Sequence, residues 1–299
     1  MPTPNGPLTG EALLEQLRQE RRAVLVSLVL YVPIIVLVFV LFFVRPLVAL
    51  AVTAVAAGFL MLVVRPRMKA YSEHMLQENL RRTLYARLNC SPASETDGGR
   101  ITEQTVRDAR LLPLADRKDP CMCRHGIAGE AEGIPTAMCD VVLTQTYRKK
   151  PGGKPKLLFN PGCWLHFDLP RNTGRDWRLL DKKTLPADTR ADFYHAQTEL
   201  ASADLPEGVL PRFALYVPAE GGQRPTNAVL RQVQRLVGES NAAIAISLRG
   251  DRLDVFLRGR VLAPDFNPAD APTLEELDVS PVPELEQVLR LAKLIAGED

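Results

Sequence analysis

Histidine is scarce in this 299-residue chain, and the patterns that usually accompany catalysis are missing around it. The four imidazoles, His74, His125, His166 and His195, stand apart from any G-x-S-x-G segment, so a serine nucleophile on a strand-to-helix turn has no support. Gly98-Gly99, Gly152-Gly153 and Gly221-Gly222 lack the G-x-x-x-x-G-K-[ST] or G-x-G-x-x-G spacing whose backbone amides cradle phosphate. A dominant charge is absent too. With a net charge of +2 and no aromatic-rich basic motif, general nucleic-acid binding is disfavoured. The cysteines, Cys90, Cys121, Cys123, Cys139 and Cys163, are odd in number and thinly spread. That excludes a disulfide framework and fits a reducing compartment.

What the chain does have is long apolar runs. Ala23 to Val44 and Leu47 to Val64 are 22 and 18 residues without a charge, separated only by Arg45 and Pro46. At ~1.5 Å of helix rise per residue, each reaches across a hydrocarbon core of ~30 Å, the second barely. One helix over both would be ~63 Å long, twice what a bilayer accepts, so the pattern predicts a transmembrane helical hairpin. A cleaved signal peptide fits poorly, because the first run is long, starts late and is followed at once by another. Arg18, Arg21 and Arg22 precede the first run, Arg65, Arg67 and Lys69 follow the second, and the link carries Arg45 alone. The positive-inside rule then places both termini in the cytoplasm. The second run is rich in small residues (Ala49, Ala51, Thr53, Ala54, Ala56, Ala57, Gly58), which predicts close packing on the first span or on another copy.

Four regions follow: a tail and short amphipathic helix over 1–22, the hairpin over 23–64, a stalk helix and linker over 65–99, and a cytoplasmic α+β domain over 100–299. Leu13, Leu14 and Leu17 share one side of the first helix, and Tyr71, Met75, Leu80, Leu84 and Leu88 keep helical spacing along the stalk. Ser91–Gly99 reads as a linker, and Ile101–Leu114 as another helix. In the domain, strand alternation covers Cys139–Tyr147 and the stretch from Lys156, with Cys163, Leu165, Phe167 and Leu169 on one side and Trp164, His166 and Asp168 on the other. Pro170–Glu207 reads as irregular, with strand hints at Trp177–Leu180, and Leu210–Val217 again as a strand. Thr226 and Gly238 bracket an amphipathic helix as N-cap and C′ residue. Gly250-Asp251 between alternating aliphatics predicts a two-residue hairpin pairing Leu248 with Leu253, Ile246 with Val255 and Ile244 with Leu257. A last helix runs over Pro283–Ala296. The expected fold class is therefore α+β, with antiparallel hairpins packed on helices.

The stretches HGIAGEAEG with CDVVLTQTY, FNPGCWLHFDLP, RFALYVP with VLRQVQRLV, and IAISLRGDRLDVFLRGR span most of the chain. In this order, behind a Leu/Arg-rich helix and a membrane hairpin, they resemble a bacterial family known only as domain of unknown function DUF3137. The resemblance implies architecture and a place in the bacterial inner membrane, with a small LemA-type membrane protein as a partner, and no chemistry. The Pro120–His125 cysteine cluster and the long Pro170–Glu207 stretch depart from it.

Three constellations remain. Cys121, Cys123 and His125 carry the thiolate and imidazole donors that suit zinc, with Cys139, Cys163 or His166 available to complete four ligands, but C-x-C is not the usual C-x₂₋₄-C knuckle. Trp164, His166 and Asp168 at i, i+2, i+4 form a candidate binding face. Arg148, Lys149, Lys150, Lys154 and Lys156 open a segment (148–183) with ten cations against three acids, a candidate strip for anionic headgroups. The expected function is a cofactor-free binding or scaffolding module at the inner leaflet. It would expose its sheet to lipid headgroups, to a protein partner or to another copy of itself. The alternatives are a membrane-associated hydrolase using His125 or His166, and a thiol or metal sensor at Cys121 and Cys123.

Overall fold

The computed structural model describes residues 10–90, 101–115, 118, 120–147, 156–184, 200–220, 222–264 and 266–297. The helices are α1 (Gly10–Val44), α2 (Pro46–Phe59), α3 (Arg65–Leu80), α4 (Glu103–Asp108), α5 (Asn227–Gly238), α6 (Leu274–Asp278) and α7 (Leu285–Gly297). The strands are β1 (Cys121–Ala131), β2 (Ile134–Tyr147), β3 (Lys156–Asp168), β4 (Asp176–Asp181), β5 (Leu200–Ala203), β6 (Phe213–Pro218), β7 (Ala243–Arg249) and β8 (Arg252–Arg258). These elements fall into two units, one of Met1–Thr83 with Pro264–Ser280 and one of Leu84–Ala263 with Pro281–Asp299.

In the first unit, the expected amphipathic helix and first apolar run are one helix, α1, because no glycine or proline interrupts the chain from Glu11 to Val32. Pro33 lies inside it without ending it. The chain reverses at Arg45, which leaves helical geometry (φ −146°, ψ 83°), and Pro46 opens α2 in the first helical turn, where a missing N–H costs nothing. The expected stalk is a direct continuation of the second run. A wide π turn over Leu60–Val64 joins α2 to α3, with the Arg65 N–H reaching back to the Leu60 carbonyl. Pro66 explains the wide turn, since its ring cannot donate to the Leu62 carbonyl and crowds it. Within the hairpin, Tyr31 stacks on Phe59 with ring centroids 6.3 Å apart. Of the small residues in the second run, Ala49 and Ala56 are buried, while Ala51, Thr53, Ala54 and Ala57 stay exposed.

Leu13, Leu17 and Val24 of α1 bury themselves against Tyr71 and Met75 of α3 and Leu277 of α6. The Pro264–Ser280 segment, expected in the C-terminal domain, therefore belongs to this unit. Arg21 donates to the carbonyls of Pro268 and Ala269, at 2.9 and 2.7 Å. Asn79 donates to the carbonyls of Leu277 and Val279, both at 2.9 Å. Arg82 forks onto both oxygens of Asp278.

The second unit is an eight-stranded antiparallel sheet in the order β1-β2-β3-β8-β7-β4-β6-β5. The β7–β8 hairpin turns at Gly250 (φ +63°) and pairs Leu248 with Leu253, Ile246 with Val255 and Ile244 with Leu257, the register expected from the sequence. Trp164, Phe256, Ala245 and Leu180 share one sheet face, covered by Ile101, Val106, Leu111 and Leu112. Leu165, Phe167, Val255 and Ile246 on the other face are equally buried, and the buried stripes of α5 and α7 belong to this unit. Both faces at the centre of the sheet are thus closed, which corrects the expectation of an open sheet.

Three other differences have local causes. Residues 121–131 form a strand, interrupted by a bulge between Arg124 and Ile127, where the sequence reads as a cysteine cluster. The expected Ile101–Leu114 helix is only α4, which Thr102 starts by accepting the Thr105 N–H, and which stops before Arg110 (φ +47°) and Pro113. Within the stretch read as irregular, β4 lies where Trp177–Leu180 hint at a strand, and β5 was not expected. The Ser91–Gly99 linker lies outside the described residues.

Candidate functional site

Four neighbouring strands set four polar side chains side by side in the middle of the sheet. The register puts His166 opposite Asp254, Asp254 opposite Ser247, and Ser247 opposite Arg178, so one row crosses β3, β8, β7 and β4. Each lies two residues from a member of the cluster beneath Ile101–Leu112, and strand alternation turns all four toward that segment. They are sealed: His166 is 5% exposed, Asp254 3%, Arg178 1% and Ser247 0%. Buried polar groups in such a place must find partners, and these do.

Asp254 is the hub at one end. Its Oδ1 accepts from Trp164 Nε1 and meets His166 Nδ1, both at 2.8 Å, while His166 Nε2 lies 3.2 Å from Asp168 Oδ1. Carboxylates on both ring nitrogens suit a doubly protonated imidazole. Burial pushes the His166 pKa down, but the hydrogen bond and charge of Asp254, with Asp168 adding, outweigh burial and hold it above the ordinary histidine value.

At the other end the row caps a helix. The last carbonyls of α4 have no partners within the helix. The Ala109 carbonyl accepts from Arg178 Nε at 3.0 Å and from Ser247 Oγ at 2.9 Å, and Asp108 offers its carbonyl to Arg249 Nη1 at 2.8 Å. Cations at a helix C-terminus also complement its dipole. Arg178 is anchored further by the carbonyls of Trp177 and Leu248 and by Asp176.

Chemically this row is a clamp. Ser247 donates its hydroxyl proton to Ala109, and Asp254 stands between it and His166. A Ser-His-Asp triad needs the imidazole in that middle place. Trp164, His166 and Asp168, singled out from sequence, do come together on one face, with Trp164 wholly buried and the Asp168 side chain 43% exposed. Asp254, Ser247, Arg178 and the Ala109 carbonyl were not foreseen. One signal was present: the hairpin register that pairs Leu248 with Leu253 also sets Ser247 against Asp254, a polar pair amid aliphatic ones.

Cys121, Cys123 and Cys139 form a second cluster on the same face. Cys121 and Cys123 have sulfurs 3.7 Å apart, and Cys139 on β2 also hydrogen-bonds Cys123. Cys121, Cys139 and Cys163 are buried, whereas Cys123 is half-buried. Thiol donors at Cys121 and Cys139 stabilise the Cys123 thiolate and lower its pKa, whereas Cys121 and Cys139 are raised by the same contacts and by burial. Burial raises Cys163 as well. Among the described residues, no three His, Cys, Asp or Glu side chains converge as a metal-binding set.

His125 (φ +51°) sits at a bulge between Arg124 and Ile127, which re-aims its side chain. Its Nδ1 lies 3.0 Å from Asp140 Oδ2, and Asp140 is held in turn by the backbone N–H groups of Leu262 and Ala263. This pair orients an imidazole whose side chain is 46% exposed. In the basic strip, Arg148, Lys149, Lys150 and Lys154 lie outside the described residues, and Lys156 is described only in its backbone, as the first residue of β3.

Set against family models, curated proteins and solved structures, the chain matches none of them.

Proposed function

We propose that this protein is a membrane-anchored binding module. α1 and α2 form a hairpin through a bacterial inner membrane, both termini lie in the cytoplasm, and the plan is that of the DUF3137 family. One observation carries this reading. Among the described residues, apart from Met68, Met122, Leu157, Phe159 and Val279, every exposed large hydrophobic residue lies between Val26 and Leu62. Apolar surface concentrated in one continuous zone is what a hydrocarbon solvent requires and water penalises. The second crossing is longer than α2 alone, because Pro46–Tyr85 is one continuous apolar-then-polar helix, and Arg18, Arg21 and Arg22 share one end of the hairpin with Arg65, Arg67 and Lys69.

A partner-binding role draws support from the long strands. β3 pairs with β8 only from Gly162 onward, so its first six residues run on with β2 beyond β8. On that extension Leu157 and Phe159 are 51% and 56% exposed, and Met122 on β1, across β2 from Pro161, is 43% exposed. A protein partner, such as a LemA-type membrane protein, or a second copy of the chain would cover them. The test joins two measurements on intact cells. Protease shaving should leave the C-terminal domain uncut, and a photo-crosslinking residue at Phe159 should trap one specific protein, while the same residue at exposed Glu275 traps none. Digestion of the domain from outside overturns the topology. An unlabelled Phe159 position overturns the binding surface.

A further inference from the structure

We propose that the chain holds an anionic phospholipid where its second apolar run meets the basic stretch that follows. A cavity of about 630 Å³ opens there, within the first unit, with Met61, Met68, Phe266 and Pro268 among its walls and Arg65 and Lys69 beside them. Three observations converge on one occupant. The walls are mostly apolar, yet the cavity lies beside helices whose surroundings, on the membrane reading proposed above, are acyl chains. The π turn over Leu60–Val64 sits at this point, so the helix is wider where the cavity forms, and such turns recur at binding sites. Arg65 and Lys69 stand one helical turn apart at the polar end. Arg65 Nη1 spends itself on the thioether sulfur of Met61 at 3.6 Å, a weak acceptor, and Lys69 pairs at 3.5 Å with a Glu73 that is more than half exposed.

An acyl chain among Met61, Met68 and Phe266 with a phosphate at Arg65 and Lys69 satisfies both ends of the cavity. Methionine suits the role, because its flexible thioether adapts to chains of varied shape. A zwitterionic lipid fills the apolar part equally well but returns less at the cations. Each well-placed cation near an anionic headgroup is worth about a fivefold preference, or roughly 25-fold for the pair.

The full chain, reconstituted in nanodiscs of phosphatidylcholine with phosphatidylglycerol, is released into the gas phase and its retained lipids are weighed. The wild type should retain phosphatidylglycerol over phosphatidylcholine by tenfold or more. Arg65→Gln with Lys69→Gln should bring the two lipids to parity, and Met61→Trp, which fills the cavity, should lose both. Equal retention of the two lipids by the wild type overturns the proposal, as does an unchanged preference in the double variant. Carbonate extraction of native membranes separates this result from the reading beneath it. A chain that washes off the membrane sinks both, whereas one that stays and shows no lipid preference sinks only the lipid site.

Discussion

At Cys123 two thiol donors converge on one sulfur, and the consequence is a difference in reactivity among cysteines only a few ångströms apart. A thiol is nucleophilic only as its thiolate, so lowering the pKa of Cys123 and raising those of Cys121, Cys139 and Cys163 separates them. Iodoacetamide at pH 6.5, followed by peptide mass spectrometry, should label Cys123 first, and Cys139→Ala should slow that labelling by removing a donor. His166 and its neighbours give a second prediction at this scale. Ser247→Ala removes one of two donors from the Ala109 carbonyl and should cost about 1 kcal/mol. Arg178→Met leaves Asp176 and three carbonyls without their cation and should cost about 3–5 kcal/mol. Both are read from urea unfolding. Because the His166 pKa is raised in the folded state, its stabilisation is complete below the ordinary histidine pKa of ~6.5 and disappears as pH rises through the folded value. The stability gap between wild type and His166→Asn should therefore narrow from pH 6 to pH 9.

Elements are fastened to one another here by a few polar pins rather than by apolar contact alone. Glu284, at the start of α7, accepts from Arg260 just beyond β8 and from Ser240 just beyond α5, so one carboxylate joins three elements. Burial pushes its pKa upward, but the hydrogen bonds from Arg260 and Ser240 outweigh burial and hold it below the usual glutamate range. The sign is the reverse of that for His166: this stabilisation is present above the ordinary value of ~4.3 and is lost as pH falls through the depressed one. Wild type should lose melting temperature on acidification below pH 4 faster than Glu284→Gln, measured by circular dichroism. β1 is fastened differently. A Cβ at Gly129 would lie 2.0 Å from the Leu88 carbonyl oxygen, which also accepts the Glu130 N–H at 2.7 Å. Gly129→Ala must push backbone from backbone, and a loss of about 1–3 kcal/mol or more is expected by urea unfolding.

For the whole molecule, the division into two units makes a prediction about damage. The cluster of Leu13, Leu17, Val24, Tyr71, Met75 and Leu277 ties the first helix to a segment some 250 residues later in the chain. Leu17→Ala should weaken that cluster by about 2–5 kcal/mol. Limited proteolysis of the full chain should then cut within 266–280 sooner, while the eight-stranded sheet keeps its resistance. An equal loss in both units would contradict the division. Such a test asks where stability is local, which a single melting temperature does not report.

Periodicity alone determined the apolar hairpin, the Gly250-Asp251 turn with its three aliphatic pairs, and the capped helix beginning after Thr226. Each rests on residues near one another in sequence, where a helical or strand repeat leaves one register that buries the apolar side. Tertiary structure alone decided which groups satisfy the last carbonyls of α4, since Arg178, Ser247 and Arg249 reach them from 69 to 141 residues away. It likewise decided that Trp164 faces inward, because alternation says which side of a strand a residue shares, and only packing says which side meets water. The segment 264–280 joined the N-terminal helices for the same reason. Its partners are set by long-range burial and hydrogen bonds, which leave no repeat in the sequence to be read.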